Sequence, residues 1–172
     1  MTRADHIHGL DPLDLTNVPS GTSEIAMAVY RLSRILRLGL SQALNDPEPL
    51  NLVTWRILLG LSDGEPVPQR DLVAFTDMEQ AQVSRALKRL ETDGLIRSST
   101  CRSDGRVRLV SLTQRGRVTF EAALPAVQHY HRAIDVALGS EERAQFIAMS
   151  RRVAAATRLS MADVENRKGG KP

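Results

Sequence analysis

Hydrophobic and polar positions follow a helical period along most of the chain. From residue 23 to residue 44, apolar side chains recur at intervals of three and four, beginning with Ile25, Val29 and Leu32. This spacing predicts a long amphipathic helix. The same pattern predicts five further helices, over residues 52–61, 68–75, 78–93, 113–138 and 140–162.

Capping and breaking residues set the ends of the predicted helices. Asn51, Asp77, Thr113 and Ser140 stand where a polar N-cap is favoured, and Gly94 ends the fourth helix. The fifth helix contains a proline, Pro125, which predicts a kink.

The period changes to that of strands after the fourth helix. The runs LIRSSTC and RVRLVSL are β-prone, and the RSDG between them contains an Asp-Gly pair that favours a hairpin turn. Alternation places Arg106 and Arg108 at the end of one ribbon face, beyond its covered part. Three short helices followed by a hairpin within about 65 residues is the order of a winged helix-turn-helix.

The fourth helix has one apolar and one polar face. Val83, Leu87 and Leu90 lie within about 60° of one another on a helical wheel and should face the core. In a winged helix-turn-helix the polar face enters the major groove of DNA. Its exposed positions carry no acid, and we expect DNA contacts from Ala81, Gln82, Ser84, Arg85, Lys88 and Arg89.

The distribution of charge supports this expectation. The net charge of the 172 residues is +3, but residues 85–117 contain nine Arg or Lys against three Asp or Glu, or +6, which leaves −3 for the remainder. A basic segment on a slightly acidic body is typical of a nucleic-acid-binding protein. Sequence-independent phosphate contacts are expected from Arg97, Arg102, Arg108 and Arg115.

The run LVAFTDMEQAQVSRALKRLETDGLIRSS, followed by SDGRVRLVSLTQRG, resembles the MarR family of bacterial transcriptional regulators. The family shares a helix with VSR and LE..GLI, and a wing that reads D-x-R and ends in LT..G. The resemblance covers about Leu50 to Gly116 and implies a triangular homodimer, in which the first helix and the last two interlock with those of a partner.

Particular residues acquire roles from the resemblance. It implies groove-facing positions at Gln80, Ala81, Gln82, Ser84 and Arg85, although the helical wheel places Gln80 nearer the buried side. It also implies a wing pair, Asp104 and Arg106, in which the arginine enters the minor groove and the aspartate steadies it. The sequence departs from the family pattern at Glu79, where Ser or Asn is usual, and at Thr76 and Asp77, where the usual turn residues are Leu and Gly.

The predicted fold class is mainly α with a small β-hairpin wing, a winged helix-turn-helix plus a helical dimerisation region. We expect a flexible arm at 1–20, the helical dimerisation region at 21–46 and 113–163, the DNA-binding domain at 48–112 and a flexible tail at 164–172.

The predicted function is that of a homodimeric regulator, a ligand-responsive repressor that binds a pseudo-palindromic operator in double-stranded DNA. The alternatives are a winged-helix protein-interaction module and a redox-sensing regulator that acts through Cys101. A small aromatic acid could bind Tyr30, Arg34 and Trp55, but plain core packing explains Trp55 equally well.

Other kinds of function have little support in the sequence. No phosphate-cradling glycine loop, metal-ligand spacing or nucleophile setting indicates an enzyme, and no cofactor is expected. His6 and His8 are interpreted as part of a solvated tail, and His129 and His131 point to different sides of a helix. One cysteine, no signal segment and no apolar run of about 18 residues predict a cytoplasmic protein away from membranes.

Overall fold

The computed structural model describes residues 11–16, 18–45, 49–101 and 103–169, with side chains up to residue 162. The chain divides into two compact units, Met1–Tyr130 and His131–Pro172. The elements are α1 (Glu24–Ala43), α2 (Leu52–Gly60), β1 (Val67–Pro68), α3 (Gln69–Thr76), α4 (Gln80–Thr92), β2 (Ile96–Thr100), β3 (Arg108–Leu112), α5 (Gln114–Asp135) and α6 (Ser140–Gly169).

The structure confirms the predicted fold class and the order of its six helices. Two expected N-caps are present: Asn51 accepts a hydrogen bond from the amide of Thr54, and the Thr113 hydroxyl accepts one from the amide of Gly116. Ser23, which the sequence did not single out, caps α1 by accepting from the amide of Ala26. Each side chain satisfies an amide that the first helical turn leaves without a partner.

The predicted cap at Asp77 is wrong. Asp77 follows the last residue of α3 in the left-handed region, with φ 52° and ψ 41°. Glu79 occupies the N-cap position of α4, and its side chain makes no capping hydrogen bond. The turn between α3 and α4 therefore depends on a backbone conformation that glycine adopts more easily than aspartate.

The last two helices differ in length from their predictions. The fifth ends at Asp135 rather than at residue 138, and it runs through Pro125 as one helix. The sixth continues to Gly169, so most of the predicted flexible tail has helical backbone, and residues 170–172 lie outside the described part of the chain.

The wing belongs to a three-stranded antiparallel sheet of order β1-β3-β2. In the hairpin, Ile96 pairs with Leu112 and Thr100 with Arg108. The two-residue strand β1 was not predicted, and its Val67 pairs with Val110. Pro68 is tolerated because β1 is an edge strand, where one amide need not join the ladder.

The hydrophobic core lies mainly within the winged-helix part of the first unit, and Phe120, Ala123 and Val127 of α5 complete it. Its fully buried side chains include Ile57 and Leu58 of α2, Leu72 of α3 and Val83 and Leu87 of α4. In contrast, α1 has no buried residue, although its sequence is amphipathic. Much of the apolar face of α1, including Ile25 and Val29, is therefore exposed, and only its C-terminal part, with Leu40, packs against the core.

The described part of the expected N-terminal arm contains local turns. One oxygen of Asp14 accepts hydrogen bonds from the amide of Thr16 at 2.9 Å and from its hydroxyl at 2.6 Å. These bonds, with the nearby Arg31, lower the pKa of Asp14. Arg31 also donates to the backbone carbonyl of Asp14, so α1 holds this segment directly. The first ten residues, with His6 and His8, lie outside the described residues.

Candidate nucleic-acid interface

Helix α4 separates its residues into a buried and an exposed face, as the sequence predicts. Val83 and Leu87 are fully buried and Leu90 is nearly so, which fixes the rotation of the helix against the core. The predicted DNA-contacting residues all lie on the exposed surface: Gln80, Ala81, Gln82, Ser84, Arg85, Lys88 and Arg89.

The expectation that Gln80 lies near the buried side is wrong. Gln80 is the first residue of α4 and is exposed, because no other element covers the start of the helix. Its side chain lines a groove between α4 and the wing. Its exposure agrees with the groove-facing position that the resemblance implies.

Two cations on this face have no acidic partner among the described residues. They are Arg85 and Lys88, both exposed. Arg89 lies 3.8 Å from Asp93, four positions later, in an exposed pair that is weakly bound in water. Arg85 and Lys88 are therefore available for an external anion without first losing an ion pair.

The wing ends in a loop that Asp104 organises. The carboxylate of Asp104 accepts a hydrogen bond from the backbone amide of Arg106 at 3.0 Å, and the amide of Val107 donates to the Asp104 carbonyl at 3.0 Å. At the base of the loop, the amide of Cys101 donates a hydrogen bond to the Val107 carbonyl at 2.9 Å. Asp104 thus fixes the backbone of Arg106, whose side chain is exposed.

A groove of about 460 Å³ lies between α4 and the wing. Cationic, amide and apolar side chains from α3, α4 and the wing line this groove: Pro68, Gln69, Arg70, Val73, Gln80, Asp104, Arg106, Val107 and Arg108. Sequence reasoning missed the contribution of α3. The signal was available in Pro68, which places Gln69 and Arg70 in the first helical turn.

Several arginines expected to contact phosphate are engaged within the protein. Arg108 lies 2.8 Å from a carboxylate oxygen of Glu91. Arg97 donates to the Ser111 hydroxyl at 3.0 Å, and Arg115 to the carbonyl of Asp93 at 2.9 Å. Arg102 lies outside the described residues. Among the predicted DNA contacts that the structure describes, the exposed cations without such an internal partner are therefore Arg85 and Lys88 on α4 and Arg106 on the wing.

The three residues expected to bind an aromatic acid, Tyr30, Arg34 and Trp55, lie in different surroundings. Trp55 is only 2% exposed and stacks on Phe120, with ring centroids 5.1 Å apart, so it belongs to the core. Tyr30 is 68% exposed. Arg34 lines a different cavity of about 300 Å³, with Pro12, Arg31, Ile35 and Leu38.

Cys101 lies at the base of the wing loop and is partly exposed. Its Sγ is 3.1 Å from the Ser103 hydroxyl, and this hydrogen bond, assisted by the amides of Ser103 and Asp104, lowers the thiol pKa. No group of three or more His, Cys, Asp or Glu with a geometry suited to a metal occurs in the described ranges. In the same part of the chain, no helix is both long and apolar enough to cross a bilayer.

The comparisons with known proteins agree with this geometry. Residues 49–107 match the family model described as "MarR family". An uncharacterised HTH-type transcriptional regulator of Bacillus subtilis, YdgJ, is 29% identical over 87 residues. That alignment covers 51% of this chain and spans about half, 53%, of the length of YdgJ.

The fold is shared over a greater length. AbsC, a MarR family transcriptional regulator from Streptomyces coelicolor, superimposes with a TM-score of 0.70 at 26% identity, over 83% of this chain and 99% of its own. Sco3205 of the same organism is a MarR family transcriptional regulator solved in complex with DNA. It superimposes with a TM-score of 0.68 at 22% identity, over 82% of this chain and 92% of its own. The match over residues 49–107 and the shared fold show that this chain is similar to MarR family transcriptional regulators.

Proposed function

We propose that this protein regulates transcription as a homodimer that binds a pseudo-palindromic site in double-stranded DNA. The observation that carries the proposal is the exposed face of α4, where Arg85 and Lys88 have no acidic partner among the described residues, beside an exposed wing arginine, Arg106. Similarity to the MarR family over residues 49–107 and the DNA complex of Sco3205 support the same function.

The exposed residues divide by the part of the duplex that each can read. The amide of Gln82 matches the two-point edge of adenine, and Arg85 can pair with guanine or a phosphate. Ala81 is small enough to lie against a thymine methyl group. In this proposal Arg106 enters the adjacent minor groove, and the hydrogen bond from its amide to Asp104 supports it by holding the loop backbone.

The dimer partner in this proposal is a second copy of the chain. On α1, Ile25 and Val29 are 58% and 54% exposed, and Leu38 is also exposed. In the second unit, α6 exposes Phe146 and Leu159. Apolar side chains left open on helices favour association, and the family resemblance implies that these helices interlock. A two-fold dimer would bind half-sites about 34 Å apart on one face of the duplex.

Repression that responds to a small ligand completes the proposal. The cavity beside α1 combines two cations, Arg31 and Arg34, with the apolar Ile35 and Leu38, so it suits an anion with an apolar body. A ligand can release DNA only if it binds one dimer shape more tightly than the other. This cavity includes Arg34, one of the three residues that the sequence suggests for ligand binding.

Selection of duplexes from a random library by the wild-type protein tests the DNA-binding proposal. We expect a two-fold symmetric consensus, and fluorescence anisotropy should show tighter binding to it than to a scrambled duplex. Arg85→Ala should weaken specific binding by about 1–3 kcal/mol. Arg85→Lys is the matched control, because it keeps the charge but loses the two-point geometry; it should retain affinity for scrambled DNA. Failure to recover a consensus would contradict the proposal.

Sedimentation equilibrium tests the dimer separately. Val29→Asp should shift the protein from dimer to monomer, because it places a charge on the exposed apolar face of α1. Ser84→Asp is the control, since it places the same single negative charge on the exposed face of α4 and should leave the dimer intact. A monomeric wild-type protein at micromolar concentration would contradict this part of the proposal.

A further inference from the structure

Three residues form a closed triangle of hydrogen bonds between the end of α4 and both strands of the wing. Glu91 accepts a hydrogen bond from the backbone amide of Ser98 in β2 at 3.1 Å. Its other oxygen accepts from Nη2 of Arg108 in β3 at 2.8 Å. The same Nη2 donates to the Ser98 hydroxyl at 2.8 Å. The carboxylate of Glu91 thus connects α4 to both β2 and β3.

Helix stability does not account for the position of Glu91. It lies in the last turn of α4, next to Thr92, where the negative end of the helix dipole disfavours an acid. The ion pair does not supply much folding energy either, because the side chains of Arg108 and Glu91 are 39% and 40% exposed. Pairs of that exposure contribute little to stability. The arrangement does fix the geometry between helix and wing.

We propose that Glu91 is a positioning residue that sets the angle of the wing relative to α4, and that Arg108 is its internal partner rather than a phosphate contact. This inference rests on the proposed DNA-binding function. The two wing arginines then have different roles, although they are two positions apart. Arg106 is exposed at the tip, whereas Arg108 has its charge matched by Glu91.

Replacement of Glu91 by Gln distinguishes this proposal from a phosphate role for Arg108. If Arg108 contacts phosphate, removal of the neighbouring negative charge strengthens binding to every duplex. If Glu91 positions the wing, Glu91→Gln weakens binding to the selected duplex, and affinity for scrambled DNA does not fall. We expect a loss of about fivefold or more in the ratio of the two affinities. An unchanged ratio would overturn the proposal.

The double variant Glu91→Gln/Arg108→Gln removes the pair without a change in net charge. We expect the same loss of specific affinity as in Glu91→Gln alone, because both remove one connection. The slope of log affinity against log salt concentration should remain that of the wild type. Arg106→Gln, the comparison variant, should reduce the slope by about one phosphate contact per subunit. A reduced slope in the double variant would assign Arg108 to phosphate and overturn the proposal.

A measurement without DNA separates failure of this inference from failure of the proposed function. Heteronuclear ¹⁵N NOE values report fast backbone motion in the wing loop, residues 103–107. They should fall in the double variant and stay at wild-type values in Arg106→Gln. Unchanged values in the double variant would overturn the positioning role. Absence of sequence-specific binding by the wild type would instead contradict the DNA-binding function on which the inference rests.

Discussion

The hydroxyl of Tyr130 donates a hydrogen bond at 2.8 Å to the backbone carbonyl of Leu36, a residue 94 positions earlier. Gly39, one turn further along α1, lies against the same ring, where an added Cβ would be 2.5 Å from Cε2 of the tyrosine. The absence of a side chain at Gly39 therefore allows Tyr130 of α5 to contact α1 within the first unit.

Tyr130→Phe should destabilise the protein by about 0.5–1.5 kcal/mol at neutral pH, because it removes one hydrogen bond. Burial raises the pKa of Tyr130 in the folded state. The unfolded tyrosine ionises near its ordinary pKa of about 10, so the stabilisation is full below that pH and is lost as pH rises through the folded pKa. The free energy of unfolding, measured with urea at pH 8 and at a pH above about 10, should decline less between the two conditions for Tyr130→Phe than for wild type. Tyr30→Phe, at an exposed site, should match wild type.

Gly116→Ala should destabilise the winged-helix unit by about 1–3 kcal/mol. A Cβ at Gly116 would overlap the backbone carbonyl oxygen of Leu95, which cannot move without disturbing β2. This cost exceeds the gain in helix propensity of up to about 1 kcal/mol. Gly105→Ala is the control, because nothing lies within 4 Å of its added Cβ, and we expect a change within about 0.5 kcal/mol. Equal urea midpoints for the two variants would contradict the close approach.

Asp77→Gly should stabilise the protein by about 0.5–1 kcal/mol, since glycine adopts the left-handed region without steric strain. Asp93→Gly should do the opposite. Asp93 also follows a helix, but its φ is −73°, so glycine would relieve nothing there and would lose the contact with Arg89. Thermal unfolding of both variants would check this difference, and stabilisation of both would argue against strain at Asp77.

Cys101 should react with iodoacetamide at lower pH than a free thiol, because its hydrogen bond with Ser103 lowers the thiol pKa. Ser103→Ala should shift the pH–rate profile upwards, towards that of glutathione measured in parallel. A profile that is the same with and without the Ser103 hydroxyl would contradict the hydrogen bond as the cause. Redox sensing through Cys101 stays a prediction.

The faces of α4 could be predicted because a helical period places Val83, Leu87 and Leu90 together whatever surrounds the helix. Gln80 could not be placed in this way, since its exposure depends on what covers the first turn. Trp55 illustrates the same limit. Its burial results from stacking on Phe120, which α5 supplies from far along the chain.

The sequence by itself determined the order of the six helices, the wing hairpin with its basic residues and the motifs that resemble the MarR family, because local periodicity and turn chemistry encode them. Only the tertiary structure decided which of the wing arginines form an ion pair within the protein. Arg106 and Arg108 are equal in charge and close in sequence, but the end of α4 brings Glu91 to Arg108 alone. Charges are assigned to partners by distances across the fold, and these distances depend on how α4 and the strands pack.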